Sequence, residues 1–457
     1  MADTNQKVVT RFAPSPTGLL HAGNYRTAIF SYLFAKQNNG EFIVRIEDTD
    51  KERSKKEYEE NILESLEWLG LKYDAIHHQS KRLDRHQFYL QKMIDEGSAY
   101  ISKEEAKDGS GHIKEIVRFK NPNKKITFKD MIRGEITTDT TDLGDFVIAR
   151  TINEPLFHLA VVVDDFEMGV THVIRGEDHI PNTPRHILIQ EAIGAPMPIY
   201  AHLPLVLAPD RTKLSKRRGA LAMSEYREQG YLPEALLNFM AFLGWNPGGE
   251  REIYDLKDLV DAFDITKVQK GGAIFNTEKL NWFNKEHIKL LSSEKLEHHI
   301  KEFLPATITE LPHYSNEVFN KIIPIIAERL EKFSDVKIMT DEGELQYFFE
   351  IPTYDTDKLF AKNSKLAKEP DSKKTLASYL EKAKDMISEI EEDSFTADTV
   401  KNTIWNYAEE VGRGEILWPI RYSLSGRDKS PDPFTLAEVL GKKETIQRIN
   451  QAIGMLQ

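Results

Sequence analysis

Four stretches of this chain carry residue types suited to handling phosphate and carboxylate groups. The first runs Arg11-Phe-Ala13-Pro-Ser15-Pro-Thr-Gly-Leu-Leu-His21-Ala-Gly23-Asn24. Before it, Lys7 to Phe12 has the β-branched content of a short buried strand, while Pro14, Pro16 and Gly18 make the turn non-helical. After it, Tyr25, Ala28, Ile29, Tyr32 and Leu33 fall at helical spacing until Asn38-Asn39-Gly40 stops the helix. A strand, a Gly-containing turn and a helix in that order present backbone N–H groups and a positive dipole end, which suit a phosphate. The glycine patterns of phosphate loops and of dinucleotide sites are both absent. The second stretch is acidic: Glu47-Asp48-Thr49-Asp50 closes an apolar strand, Glu41 to Ile46. Asp48 and Asp50 serve equally well as caps of the following helix. The third, Arg175-Gly176-Glu177-Asp178-His179, ends another strand, Val170 to Ile174. The fourth, Ala208 to Gly219, holds five Lys and Arg, among which Lys213 and Lys216 are close enough to converge on one polyphosphate.

The elements around these stretches predict an open α/β sheet with the four motifs at its carboxyl edge, where such sheets bind ligands. Leu156 to Val163 is apolar enough for a strand buried on both faces, and Ile199 to Leu207 makes the last strand. Asn182 to Gly194 predicts a capped helix with Pro184 near its start. Tyr58, Ile62, Leu63, Leu66 and Leu69 give a helix core face ending at Gly70. Between about His77 and Glu154 the texture changes to charged helices, loops and short strands, an insertion between the halves of the sheet. From about Ile288 onward the pattern is helical, with stripes such as Ile404, Tyr407, Ala408 and Val411, and Leu436, Val439, Leu440, Ile446, Ile449 and Ile453.

At 457 residues and 40% hydrophobic content, two or three domains with ample core are expected. No apolar run is long enough for a membrane span or signal region, so the cytoplasm is the default location. The chain has no cysteine, which excludes disulfides, thiolate–zinc sites and thiol catalysis. A net charge of -12 argues against indiscriminate nucleic-acid binding, yet 61 Lys and Arg leave room for a local basic RNA footprint.

Pro-Ser-Pro-Thr-Gly18 followed by His21-Ala-Gly-Asn24 resembles the first ATP motif of class I aminoacyl-tRNA synthetases, in the variant of the glutamyl and glutaminyl enzymes. Lys213-Leu-Ser215-Lys216-Arg217 resembles the second motif of that class, a mobile lysine loop. From about residue 7 to the end the chain resembles a glutamyl-tRNA synthetase of the bacterial type. The all-helical C-terminal part favours the glutamyl over the glutaminyl enzyme, which would carry β-barrels there.

The resemblance implies a Rossmann-like parallel sheet (residues 1–78 and 155–220) split by an inserted α+β acceptor-stem-binding domain (79–154). A stem-contact region (221–300) and an α-helical anticodon-binding domain (301–457) follow. It implies ligation of L-glutamate to tRNA(Glu) through glutamyl-adenylate, with ATP and Mg2+, in a cytoplasmic monomer. His21, Asn24, Lys213 and Lys216 would be catalytic. Arg11, Ala13, Ser15, Glu47, Phe157 and Arg175 would hold glutamate, with Glu47 at the amino group and Arg175 at the side-chain carboxylate. His21, Gly23, Glu177, Asp178, Val206, Ser215 and Lys216 would hold ATP, with Val206 meeting adenine through its backbone. Arg421 and Arg427 are candidates for RNA contact. Some family members bind zinc through cysteines in the inserted domain; here the corresponding loop, Tyr100 to Arg118, has only His112, and no zinc is expected. One departure is Phe157, where the family usually has a tyrosine whose hydroxyl helps to hold the substrate. Whether tRNA(Gln) is also charged stays open.

Overall fold

The computed structural model describes residues 7–105, 113–214 and 221–457. The chain divides into two compact units, ending at His287 and beginning at Ile288.

In the first unit, β1 (Val9–Phe12) leads through the Pro/Gly turn into α1 (Ala22–Gln37), followed by β2 (Glu41–Ile46), α2 (Lys56–Trp68) and β3 (Ala75–His78). Gly70 ends α2 with φ at 73°, a left-handed conformation that favours glycine. The inserted stretch supplies α3 (Leu83–Asp95), β4 (Ala99–Glu105), β5 (Ile113–Phe119), β6 (Lys125–Asp130), β7 (Gly134–Asp139), β8 (Phe146–Thr151) and β9 (Glu154–Pro155). Next come α4 (Phe157–Glu167), β10 (His172–Gly176), α5 (Thr183–Ile193), β11 (Ile199–Leu203) and β12 (Val206–Leu207). The main sheet has the order β3-β2-β1-β10-β11-β6-β7, parallel throughout except that β7 runs against β6. The inserted stretch therefore does two things: β4, β5, β8 and β9 form their own antiparallel sheet, while the β6–β7 hairpin extends the main one.

Two expectations are corrected. Leu156 to Val163 is not a strand; it forms most of helix α4. Leu159 to Val163 are all at most 2% exposed, so this helix shows no polar face whose period would betray it. Strand preference spans only about 1 kcal/mol and depends on packing context, so three consecutive valines do not fix the element. The run from Ile199 to Leu207 is not one strand either: it breaks at Pro204, and β12 pairs instead with a distant strand, Ala273–Ile274.

The second unit is helical, with long helices at Ser293–Phe303, Asn316–Arg329, Ser372–Ser388, Ala397–Val411, Arg413–Ser425 and Pro433–Leu456. Ile404, Tyr407 and Ala408 are buried as their spacing predicts, as are Leu436, Val439, Ile449 and Ile453. The expected border after residue 300 falls inside the helix Ser293–Phe303, and the chain divides earlier. Among the described residues no helix is long and apolar enough to cross a membrane.

Candidate active site

A cleft of about 450 Å³ opens at the carboxyl edge where β1 and β10 lie side by side. Its lining brings together Arg11, Ala13, Ser15, His21, Gly23, Asn24, Glu47, Phe157, Arg175, Asp178, Val206 and Lys213, residues from opposite ends of a 200-residue stretch.

His21 and Asn24 open helix α1 through reciprocal capping. The Gly23 N–H donates to His21 Nδ1 at 3.1 Å, and Asn24 Oδ1 accepts from the His21 N–H at 3.2 Å. With Nδ1 accepting, the neutral ring carries its proton on Nε2, a donor at a helix N-terminus. Gly23 is required for closeness: a Cβ there would lie 3.0–3.1 Å from the His21 ring. Gly23→Ala is therefore expected to displace the ring and slow ATP–pyrophosphate exchange by about tenfold, an ordinary cost of sub-ångström misplacement, while the thermal midpoint stays near wild type. An unchanged exchange rate would show that the ring position is not critical.

The floor of the cleft is a buried charge cluster. Arg45, fully buried near the carboxyl end of β2, donates from Nη1 to Asp165 Oδ1 at 2.6 Å and from Nη2 to Glu47 Oε1 at 3.2 Å. Arg11 donates from Nε to the same Asp165 oxygen at 3.2 Å and from Nη1 to the Ile174 carbonyl at 3.3 Å. Burial works to raise the Asp165 carboxyl, but Arg11 and Arg45 outweigh it and hold it below its ordinary range. Glu47 goes the other way, raised by burial although Arg45 faces it. Arg175 has no carboxylate partner among the described residues. It donates from Nη2 to Thr183 Oγ1 at 2.8 Å, from Nε to His202 Nε2 at 3.2 Å and from Nη1 to His186 Nδ1 at 3.2 Å, all neutral acceptors. It is 6% exposed, and burial pulls its pKa down to about 10. Arg11 and Arg45 are thus each paired with a buried carboxylate, while the equally buried Arg175 is bonded only to neutral groups, where an uncompensated charge is costly.

The Phe157 ring packs among the imidazoles of His158, His179 and His186, with centroids 5.5, 6.1 and 5.8 Å away. Burial drives His158, His172 and His179 down to about 4 and His186 well below its ordinary value, with guanidinium charge adding to the effect for all but His172. The unfolded chain, with imidazoles near 6.5, binds more protons than the folded one across the window from about 6.5 down to about 4, so stability is lost as pH falls through it. The melting transition of the first unit is expected to drop between pH 7 and pH 5; circular-dichroism melts at both values check this, and equal midpoints contradict it.

At the Lys213 end of the cleft, Lys213 Nζ lies 2.8 Å from Asp178 Oδ2. Glu177 accepts from Arg133 Nη2 at 2.5 Å and from the Leu205 N–H at 2.8 Å, which fastens the β12 segment to the inserted hairpin. The Val206 carbonyl accepts from the Leu214 N–H at 2.9 Å. Asp48 accepts from the Ser80 N–H and hydroxyl, and Asp50 pairs with Arg53, so neither caps α2, whose N-cap is Lys55. Ser215, Lys216 and His112 lie outside the described residues. In the second unit, Arg421 donates to the carbonyls of Asp428 and Ser430 and lies over the Trp418 ring, while Arg427 is exposed. The sequence reading missed Arg45, Asp130, His186 and His202, which come together only in the folded chain, three through sheet pairing and His186 from helix α5.

The family of class I tRNA synthetases (E and Q), catalytic domain, matches residues 7–108 and 101–282, and an anticodon binding domain family matches 293–453. A glutamate–tRNA ligase of Aquifex aeolicus is 39% identical over 495 residues, covering 98% of this chain and 99% of that protein. One from Caldanaerobacter subterraneus subsp. tengcongensis is 36% identical over 490 residues, covering 99% and 98%. A crystal structure of a glutamate tRNA ligase from Elizabethkingia meningosepticum in complex with its amino acid superposes with a TM-score of 0.85 at 34% identity, covering 99% of this chain and all of that one. The chain belongs to the glutamate–tRNA ligases, enzymes that join glutamate to tRNA at the expense of ATP.

Proposed function

We propose that the cleft binds glutamate on Arg175 and Glu47 and binds ATP across the His21–Asn24 turn and the Lys213–Lys216 loop, with Ala13, Ser15, Phe157 and Arg11 shaping the amino-acid end. The observation that carries this reading is the Arg175 guanidinium, buried and without a carboxylate partner among the described residues. The side-chain carboxylate of glutamate would pair with it, whereas the neutral side-chain amide of glutamine leaves Arg175 uncompensated. The planar guanidinium takes the side-chain carboxylate through two parallel hydrogen bonds, and Glu47 takes the ammonium.

In this arrangement the substrate's α-carboxylate attacks the α-phosphate of ATP, giving glutamyl-adenylate and diphosphate. The terminal ribose 2'-hydroxyl of the tRNA then takes the acyl group and releases AMP. No covalent enzyme intermediate is needed, so the protein contributes alignment and charge stabilisation: His21 Nε2–H, the helix N-terminus, Lys213 and Lys216 face the phosphate charge. Among the described residues no three His, Asp or Glu side chains gather as a metal cage, and Asp178 and Glu47 are each already paired with a cation. Asp178, which lines the cleft, would be the carboxylate to hold a Mg2+ ion brought with ATP, and the ion would neutralise phosphate charge there. Residues 79–154 and 221–300 would hold the acceptor arm, and Arg427 is the better of the two C-terminal candidates for RNA, since Arg421 is occupied by its own loop.

Aminoacylation with labelled glutamate, run on purified tRNA(Glu) and tRNA(Gln) with a Lys216→Ala variant alongside, tests this reading. Charging of tRNA(Glu) that the variant loses supports it; a variant as active as wild type removes the lysine loop from the chemistry. The tRNA(Gln) lane decides whether both tRNAs are substrates.

A further inference from the structure

Resting on the reading of Arg175 as the carboxylate-holding residue, we propose that Asp130 and His202 are positioning residues that fix the orientation of the Arg175 guanidinium, and with it glutamate affinity. Asp130 ends β6, in the inserted stretch, and His202 lies on β11, the strand that pairs with both β6 and β10. Both side chains are buried. Asp130 Oδ1 accepts from the Ile132 and Arg133 N–H groups at 2.9 and 2.8 Å, which locks the carboxylate. Its Oδ2 lies 2.7 Å from His202 Nδ1 and 3.0 Å from the His202 backbone nitrogen.

A carboxylate only accepts, so His202 Nδ1 carries the ring hydrogen and Nε2 is left with a lone pair. That lone pair faces Arg175 Nε–H at 3.2 Å and the Thr183 hydroxyl at 3.1 Å. On the other flank the same logic runs outward: Arg175 Nη1 donates to His186 Nδ1, so the His186 proton sits on Nε2 and points to His158 Nδ1, 3.1 Å away. Thr183 Oγ1 receives the Nη2 donor. Arg175 is therefore held on three sides by acceptors that orient it without cancelling its charge, and that charge stays available to a substrate anion. Of these acceptors, only His202 has its tautomer dictated by a carboxylate.

Asp130→Asn keeps an oxygen for the Ile132 and Arg133 N–H groups but turns an amide N–H toward His202 Nδ1. The imidazole proton then moves to Nε2, where it opposes Arg175 Nε–H, as a mis-set tautomer does in other carboxylate–histidine pairs. The glutamate KM is expected to rise about tenfold, with kcat and the ATP KM within about twofold of wild type. His202→Gln restores an acceptor near the Nε2 position and is expected to keep the glutamate KM within about threefold, whereas His202→Asn keeps only the Asp130 contact and is expected to lose about tenfold. A purely structural role predicts the reverse order, because Asn preserves the buried bond to Asp130. This His202 pair makes the comparison even if Asp130→Asn does not fold. An unchanged glutamate KM in folded Asp130→Asn, or equal losses in the two His202 variants, overturns the proposal. Arg175→Lys, assayed alongside, separates the two levels: if it leaves the glutamate KM unchanged, the reading of Arg175 itself fails. If it raises KM while the Asp130 and His202 variants do not, only the positioning role fails.

Discussion

Arg175→Leu is expected to lower kcat/KM for glutamate by a factor of about a hundred to several thousand, chiefly through KM, with ATP affinity nearly unchanged. The reason is how the guanidinium groups at the cleft floor are paired. Arg45 is committed to Asp165 and Glu47, and Arg11 to Asp165, so Arg175 is the guanidinium left for an incoming carboxylate. Removing one partner of a buried, hydrogen-bonded ion pair costs roughly 3–5 kcal/mol, which sets the factor. The apolar replacement leaves His186, His202 and Thr183 without their donor, so a melting curve must accompany the kinetics. Steady-state aminoacylation with glutamate as the varied substrate measures the effect. A loss below about fivefold in a folded variant would mean that another group holds the carboxylate.

His21→Ala is the second large effect, and it acts on the chemical step: kcat of adenylate formation is expected to fall by about a hundredfold or more, the usual cost of removing one preorganised donor from a developing charge. His21 has a double role, because its Nδ1 also caps α1. A helix cap is worth about 1 kcal/mol, so His21→Ala should lose both activity and some stability. His21→Asn separates the roles, since asparagine caps well but has no donor at the Nε2 position. It should melt close to wild type and remain about as slow as His21→Ala. Recovery of activity along with stability would reduce His21 to a cap.

The parts of this molecule legible in the sequence are those whose signals are local. Pro14, Pro16 and Gly18 announce the turn before α1, Pro184 and Gly194 bracket α5, and both structures follow. The motif residues His21, Glu47 and Arg175 do converge on one cleft, because each ends a strand or opens a helix at the same sheet edge. Helix α4 was illegible because burial on all sides erases amphipathic period, and its valines favour the wrong element. The surroundings of Arg175 were illegible for another reason. Asp130, His186 and His202 are separated by 45 residues or more from Arg175 in the first case and lie on different elements in all three, so no spacing rule joins them. Asp130 reaches the site only because the inserted hairpin continues the catalytic sheet. Arg421 looked free for RNA, but its donors go to the loop that its own helix leads into.

The most direct test of the central claim, that one uncompensated buried guanidinium selects glutamate, is the ratio of kcat/KM for glutamate and glutamine in the wild type and in Arg175→Gln, measured by labelled amino-acid transfer to tRNA. The wild type should favour glutamate strongly, and the variant should lose glutamate charging so that the ratio falls toward unity. A variant that keeps the wild-type ratio would contradict it.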